Sequence, residues 1–160
     1  MKDIQVCKQN GIDLAKGIML AGPIGCGKTS IMTLMKFLAV AENKFLFKSC
    51  RNISFEFIQD GYEVIHKYST GKPNISTAKI ICFDDLGTEN NLKYFGNECN
   101  VMAEILLSRY DLFTNKKMVT HLTTNLVASE IEANYGNRVR SRLREMVNIV
   151  AFDKSVRDKR

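Results

Sequence analysis

The chain has little that would place it in a membrane, outside the cell or in a repetitive scaffold. Its 160 residues include only two prolines, and no internal repeat, low-complexity tract or Pro/Ser-rich linker interrupts them. No apolar run approaches the roughly 20 residues needed to span a bilayer. The amino terminus lacks a signal peptide's apolar stretch and small-residue cleavage site. Cysteine is used in a way that excludes two further classes. Cys7, Cys26, Cys50, Cys82 and Cys99 are odd in number and scattered, with no C-x-x-C pair. That argues against a disulfide framework or a zinc site and for a reducing cytosol, so a cytoplasmic location is expected.

What remains is ordinary globular composition, 45% hydrophobic and 25% charged, in a length that can bury one core. One domain spanning residues 1–160 is expected. Its net charge of +6 is unevenly spread. From Asn137 to Arg160 there are eight Lys/Arg against three Asp/Glu, a net of +5. Such a segment suits nucleic acid or the phosphates of a neighbouring subunit, and equally a solvated end.

The most specific local pattern is Gly22-Pro23-Ile24-Gly25-Cys26-Gly27-Lys28-Thr29, a full match to G-x-x-x-x-G-K-[ST]. Glycines let successive N–H groups turn inward as an anion-binding nest. Lys28 is placed to reach β/γ-phosphates, the Thr29 hydroxyl to bind Mg²⁺, and Ser30 to continue the contact at the helix start. Its context agrees with this reading. Ile18–Ala21 is a short apolar run, and Ile31, Leu34, Met35 and Leu38 follow at helical spacing. A nucleoside triphosphate with Mg²⁺ is the ligand this chemistry fits.

Apolar runs then alternate with helical patterns, the signature of an α/β protein with a mostly parallel sheet. Strands are predicted at Ile18–Ala21, Phe45–Ser49, Lys79–Phe83, Met118–Thr123 and Val147–Phe152. Helices are predicted near Lys28–Ala41, Ser54–Tyr68, Asn97–Leu112 and Ala128–Met146, the last broken near Gly136. Ser69–Thr77 and Asn90–Gly96 read as loops.

Three more elements carry chemistry. Ile80-Ile81-Cys82-Phe83-Asp84-Asp85 is an apolar strand ending in two acids, the form of a Walker B element. Asp84 is the candidate Mg²⁺ ligand, and Asp85 stands where many ATPases carry a glutamate that polarises water. Thr123-Thr124-Asn125 ends another strand at the crevice where open α/β sheets bind ligands. There Asn125 or Thr124 is a candidate phosphate or water contact, although the triplet also suits a helix N-cap region. Finally, Val139, Leu143, Met146 and Val147 mark one apolar helix face. Arg138 and Arg142 lie on one flank of it, Arg140 and Arg144 on the other. Guanidinium groups suit bidentate phosphate contact, with surface ion pairing as the plainer use. His66 and His121 are lone histidines with no assigned role.

Together, Gly22–Thr29, Asp84-Asp85-Leu86-Gly87, Thr123-Thr124-Asn125 and Gly136-Asn137-Arg138-Val139-Arg140-Ser141-Arg142-Leu143 resemble the AAA+ ATPases of the DnaC/IstB-like helicase-loader and transposition-helper family. The resemblance covers the chain from about Gly17 to Arg157. It implies a P-loop three-layer α/β/α sandwich with a five-stranded parallel sheet, the Walker strands separated by one strand. It further implies ATP with Mg²⁺ as cofactors and ATP-dependent self-association. Lys28 and Thr29 match Walker A, Asp84 and Asp85 Walker B, and Asn125 sensor 1. Arg142 matches an arginine finger acting on a neighbour's ATP, with Arg138 as second candidate. Arg157 matches a sensor-2-like arginine. Single-stranded, non-specific DNA and a replicative helicase or a transposase are the partners implied.

Only about 16 residues precede the first strand, so the family's N-terminal partner-binding region is expected to be absent, and part of the adenine pocket with it. Two other readings stand beside the ATPase. One is a small-molecule kinase on the same loop, which strand order would discriminate. The other is a nucleotide-dependent interaction module with little hydrolysis, which the short side chain of Asp85 keeps open.

Overall fold

The computed structural model describes residues 4–70, 79–89, 92–94 and 97–153. A short helix α1 (Ile4–Gln9) precedes strand β1 (Gly17–Ala21) and helix α2 (Lys28–Leu38). A single 3-10 turn at Ala41–Asn43 leads into β2 (Leu46–Ser49), followed by α3 (Cys50–Asp60) and α4 (Glu63–Tyr68). Next come β3 (Ile81–Leu86), the short strands β4 (Leu92–Tyr94) and β5 (Asn97–Cys99), and α5 (Val101–Lys116). The described chain ends with β6 (Thr120–Thr124), α6 (Ala128–Met146) and β7 (Val147–Ala151). None of the described helices is long and apolar enough to cross a membrane.

Five strands form one sheet in the order β2-β3-β6-β1-β7, with every neighbouring pair parallel. The phosphate-loop strand β1 and the acidic strand β3 are therefore separated by β6. This is the arrangement expected of the ATPase reading. All five strands end on the same edge of the sheet, where the sequence places its chemistry.

Strand alternation divides the core into two layers. On β1, Leu20 joins Met32 of α2, Phe45 and Cys82 on one face. Met19 turns to the other face with Phe83, Ile53 and Phe57 of α3, Ile105 of α5, and Leu143 of α6. The sheet is thus sandwiched between helices, as parallel sheets require for both faces to be buried. A large cation sits in this core. Arg109, 1% exposed, donates to the Thr120 hydroxyl at 2.7 Å and to the carbonyls of Tyr68, Lys79 and Val119 at 3.0–3.2 Å. It joins the end of α4 to the starts of β3 and β6. Burial lowers its pKa to about 10, which leaves it charged at neutral pH.

Several predicted boundaries shift for identifiable reasons. The helix expected over residues 54–68 starts at Cys50 and is divided at Gly61 into α3 and α4. The one expected from Asn97 starts at Val101, because the Asn100 side chain caps it by accepting the Ala103 N–H at 3.0 Å. Part of the loop expected over residues 90–96 pairs instead, β4 with β5, as an antiparallel ribbon. The expected break in the last helix is present: Gly136 has φ 85° and ψ 159° inside α6, which only a residue without Cβ adopts freely. Most of the loop expected over residues 69–77 lies outside the described residues.

His121 accepts the Ile18 N–H through Nδ1 at 3.1 Å and packs against the Phe45 ring at 4.9 Å between centroids. Burial, and secondarily the charge of Arg109, push its pKa down from 6.5 to about 4. The unfolded chain therefore takes up a proton first as the pH falls. The stability from the neutral imidazole is complete above pH 6.5 and is lost toward pH 4, at most about 3 kcal/mol. Urea unfolding across that window is expected to show this loss in the wild type and a flatter profile in His121→Asn.

Candidate functional site

The site begins where β1 gives way to α2. Gly27, the residue before α2, has φ 93°, and Gly25 has φ 79°. A side chain at Gly27 would have room, with nothing within 4 Å, so the backbone angle is what demands glycine there. The turn it makes brings the loop amides and the first N–H groups of α2, which have no partner within the helix, to one anion-binding end.

A cavity of about 320 Å³ opens at that end. Gly25, Gly27, Lys28, Thr29 and Ser30 line it from the loop side, and Asp85, Thr88 and Asn125 from the strand ends. Lys28 is 6% exposed, and its ammonium donates to the carbonyls of Gly22 at 2.8 Å and Pro23 at 2.9 Å. Cys26 is buried beneath the loop, its sulfur 3.8 Å from the same ammonium.

Behind the loop, the Thr29 hydroxyl donates to both carboxylate oxygens of Asp84, at 3.0 and 3.2 Å. The Thr123 hydroxyl donates to Asp84 Oδ1 at 2.6 Å. Asp84 is 7% exposed, and its burial pushes its pKa up from the usual carboxylate value, while the Thr123 and Thr29 hydroxyls pull it down. The donor set fits Mg²⁺. A hard carboxylate and a hard hydroxyl lie within 3.2 Å of each other beside an anion-binding loop, and Mg²⁺ favours one or two such protein ligands with phosphate oxygens and water completing the octahedron.

A second cavity of about 650 Å³ shares Asn125 with the first and reaches Gly22 and Pro23 at the start of the loop. Its walls are apolar, from Leu126 and Ile131 to Leu143 and Phe152, with Arg140 and Arg144 also lining it.

The structure gathers Lys28, Thr29, Ser30, Asp84, Asp85 and Asn125 at one crevice. It does not bring the candidate arginines there. Arg142 Nη1 donates to the Tyr110 hydroxyl at 2.9 Å, and its guanidinium lies 4.2 Å from the centroid of that ring. Glu145 is 3.5 Å away. Arg138 is exposed on α6, and Arg140 is paired with Glu132 at 2.7 Å. Arg157 lies outside the described residues. Of the two candidates at the end of β6, Thr124 is withdrawn. It is fully buried, donates to the Leu86 carbonyl at 2.7 Å and accepts the Leu126 N–H at 3.1 Å. Asn125 is exposed and lines both cavities.

Sequence reasoning passed over Thr88 and the pair Glu89 and Tyr135. Glu89 accepts the Gly87 N–H at 2.9 Å and the Tyr135 hydroxyl, and so ties the loop after β3 to α6 just before its break. Thr123, part of a noted triplet, also had no role of its own. Its position behind two acids shows only in the strand register.

Comparison with known proteins agrees with this geometry. The family model described as "ATPase family associated with various cellular activities (AAA)" matches residues 18–148. No curated protein matches the sequence. Among solved structures, the DnaC helicase loader superposes with a TM-score of 0.62 at 19% identity, over 94% of this chain and 86% of that one. DnaI gives 0.60 at 18% identity, over 92% and 81%. AMPPCP-bound DnaA from Aquifex aeolicus gives 0.60 at 15%, over 93% of this chain but 45% of that chain. At these identities the superpositions establish the α/β fold. With the family model covering most of its length, the chain belongs to the AAA family of ATPases.

Proposed function

We propose that the chain binds Mg–ATP between the Gly22–Thr29 loop and the end of β3, and hydrolyses it when a second copy supplies Arg142. The observation that carries this is the convergence of Lys28, Thr29, Asp84 and Asp85 from separated elements onto one crevice of about 320 Å³.

Each residue then has a task set by its chemistry. The loop amides and the α2 N-terminus hold the phosphates. Lys28, now on two loop carbonyls, meets a stronger acceptor in a phosphoryl oxygen and shifts its hydrogen bonds to it. Thr29 and Asp84 would hold Mg²⁺, which when bound supplies positive charge to offset that of the phosphates. Asp85 and Asn125 line the crevice from the strand ends and would orient the attacking water. The adjoining apolar cavity, continuous with Gly22 and Pro23, is suited to the nucleoside end. Arg142 rests on Tyr110 and away from the crevice of its own chain, which supports a role on a neighbour's ATP, with Arg138 as the alternative finger.

The sheet order, with β6 between β1 and β3, favours an ATPase over the small-molecule kinase. Similarity to structures named as a helicase loader and as DnaA supports a replication role, with a replicative helicase as partner rather than a transposase. Assembly would be ATP-dependent. DNA contact, single-stranded and non-specific, would rest on the exposed arginines of α6 and so weaken as salt rises.

Fluorescent-nucleotide titration and a phosphate-release assay test the assignment. Lys28→Ala is expected to lower Mg–ATP affinity by about 10- to 100-fold, since a charged hydrogen bond is worth about 1.5–3 kcal/mol. Arg142→Ala is expected to keep that affinity and lose about 10³-fold in turnover. Unchanged binding by Lys28→Ala would refute the site. Full turnover by Arg142→Ala under assembling conditions would refute the finger.

A further inference from the structure

Neighbouring residues on a strand point to opposite faces of the sheet. Asp84 and Asp85 should therefore diverge. Instead Asp84 meets Thr29, and Asp85 lines the cavity that Thr29 also lines. The register between β3 and β6 explains how. Phe83 pairs with Leu122 and Leu86 pairs with Thr124, so both acids lie opposite Thr123 alone. This is a bulge, which bends a strand and re-aims its side chains. Asp85 takes up the irregularity with φ 55°, a left-handed conformation uncommon outside glycine.

A bulge leaves backbone groups without ladder partners, and a strained residue persists only where its surroundings hold it. Here one side chain supplies both needs. The Thr123 hydroxyl accepts the Asp85 N–H at 2.9 Å and donates to Asp84 Oδ1 at 2.6 Å. Thr123 is fully buried, so water cannot take over either bond. A hydroxyl is both donor and acceptor, which is what this position requires. Valine has the same shape and neither capacity.

We propose that Thr123 is the positioning residue of this site: by bridging the bulge it orients Asp84 toward the cation and fixes the backbone that aims Asp85 at the γ-phosphate. The proposal rests on the Mg–ATP reading above and names how its two acids are held. Thr123 itself is buried and does not line the crevice.

The test is Mg²⁺ titration of fluorescent ATP-analogue binding, with an EDTA control, alongside turnover, for wild type, Thr123→Val and Thr123→Ser. Thr123→Val is expected to keep its affinity for metal-free nucleotide and to need about 10- to 100-fold more Mg²⁺, the usual cost of losing an outer-shell partner. Thr123→Ser, which restores the hydroxyl, is expected to recover most of the wild-type Mg²⁺ response. Should the valine variant melt as an unfolded chain, Thr123→Ala repeats the comparison. A hydroxyl-free variant with wild-type Mg²⁺ dependence, or a serine variant as impaired as valine, would overturn the proposal. A wild type that binds no Mg–nucleotide would overturn the ATPase reading itself, and this proposal with it.

Discussion

The carboxylate of Asp84 joins parts of the site that come from far apart in the chain, because Thr29 at the head of α2 and Thr123 on β6 both donate to it. Burying an acid in this way costs free energy, and its raised pKa records that cost. Two hydroxyls offset part of it, and a bound cation would offset more. The arrangement is possible only because β3 lies beside β6 and β6 lies beside β1. Were the two motif strands neighbours, no β6 residue would stand between the loop and the acids. The same sheet order brings Asn125 to the crevice and gives the bulge of β3 its partner.

The other half of the proposed chemistry is kept away from this crevice. Arg142 stacks on Tyr110 and shares Glu145 with it, since the Tyr110 hydroxyl donates to Glu145 at 2.6 Å. These contacts hold the guanidinium on the surface between α5 and α6, where a second molecule can reach it. The break at Gly136 sets the direction of the arginine-bearing half of α6. Just before that break, Tyr135 is bound to Glu89, which in turn accepts the Gly87 N–H beyond the two acids. The acidic strand end and the arginine helix are therefore physically connected within one subunit.

Much of this was legible in the sequence because the relevant signals are local. Glycine spacing before Lys28 specifies a backbone, not a distant contact, and the apolar run ending in Asp84-Asp85 specifies a buried strand with polar tips. The break at Gly136 was readable for the same reason. What escaped depends on long-range register. Nothing beside Thr123 in the chain says that it will face a bulge on β3. Arg109 looks like an ordinary helix arginine, and its place in the core follows from carbonyls supplied by Tyr68, Lys79 and Val119. The β4–β5 ribbon was missed because its short segments carry no sustained alternation. Gly61 after Asp60 was an available signal for the division of α3 from α4, but the apolar periodicity on either side masked it.

In the proposed function, Gly22–Thr29 is half of a catalytic site completed by Arg142 of another copy. The direct measurement is ATP turnover in mixtures of two inactive variants, Lys28→Ala and Arg142→Ala. A mixed assembly contains junctions where an intact loop faces an intact arginine, so activity absent from either variant alone is predicted to appear on mixing and to peak at intermediate ratios. No turnover at any ratio, in mixtures shown by size to assemble, would rule out a site shared between two copies.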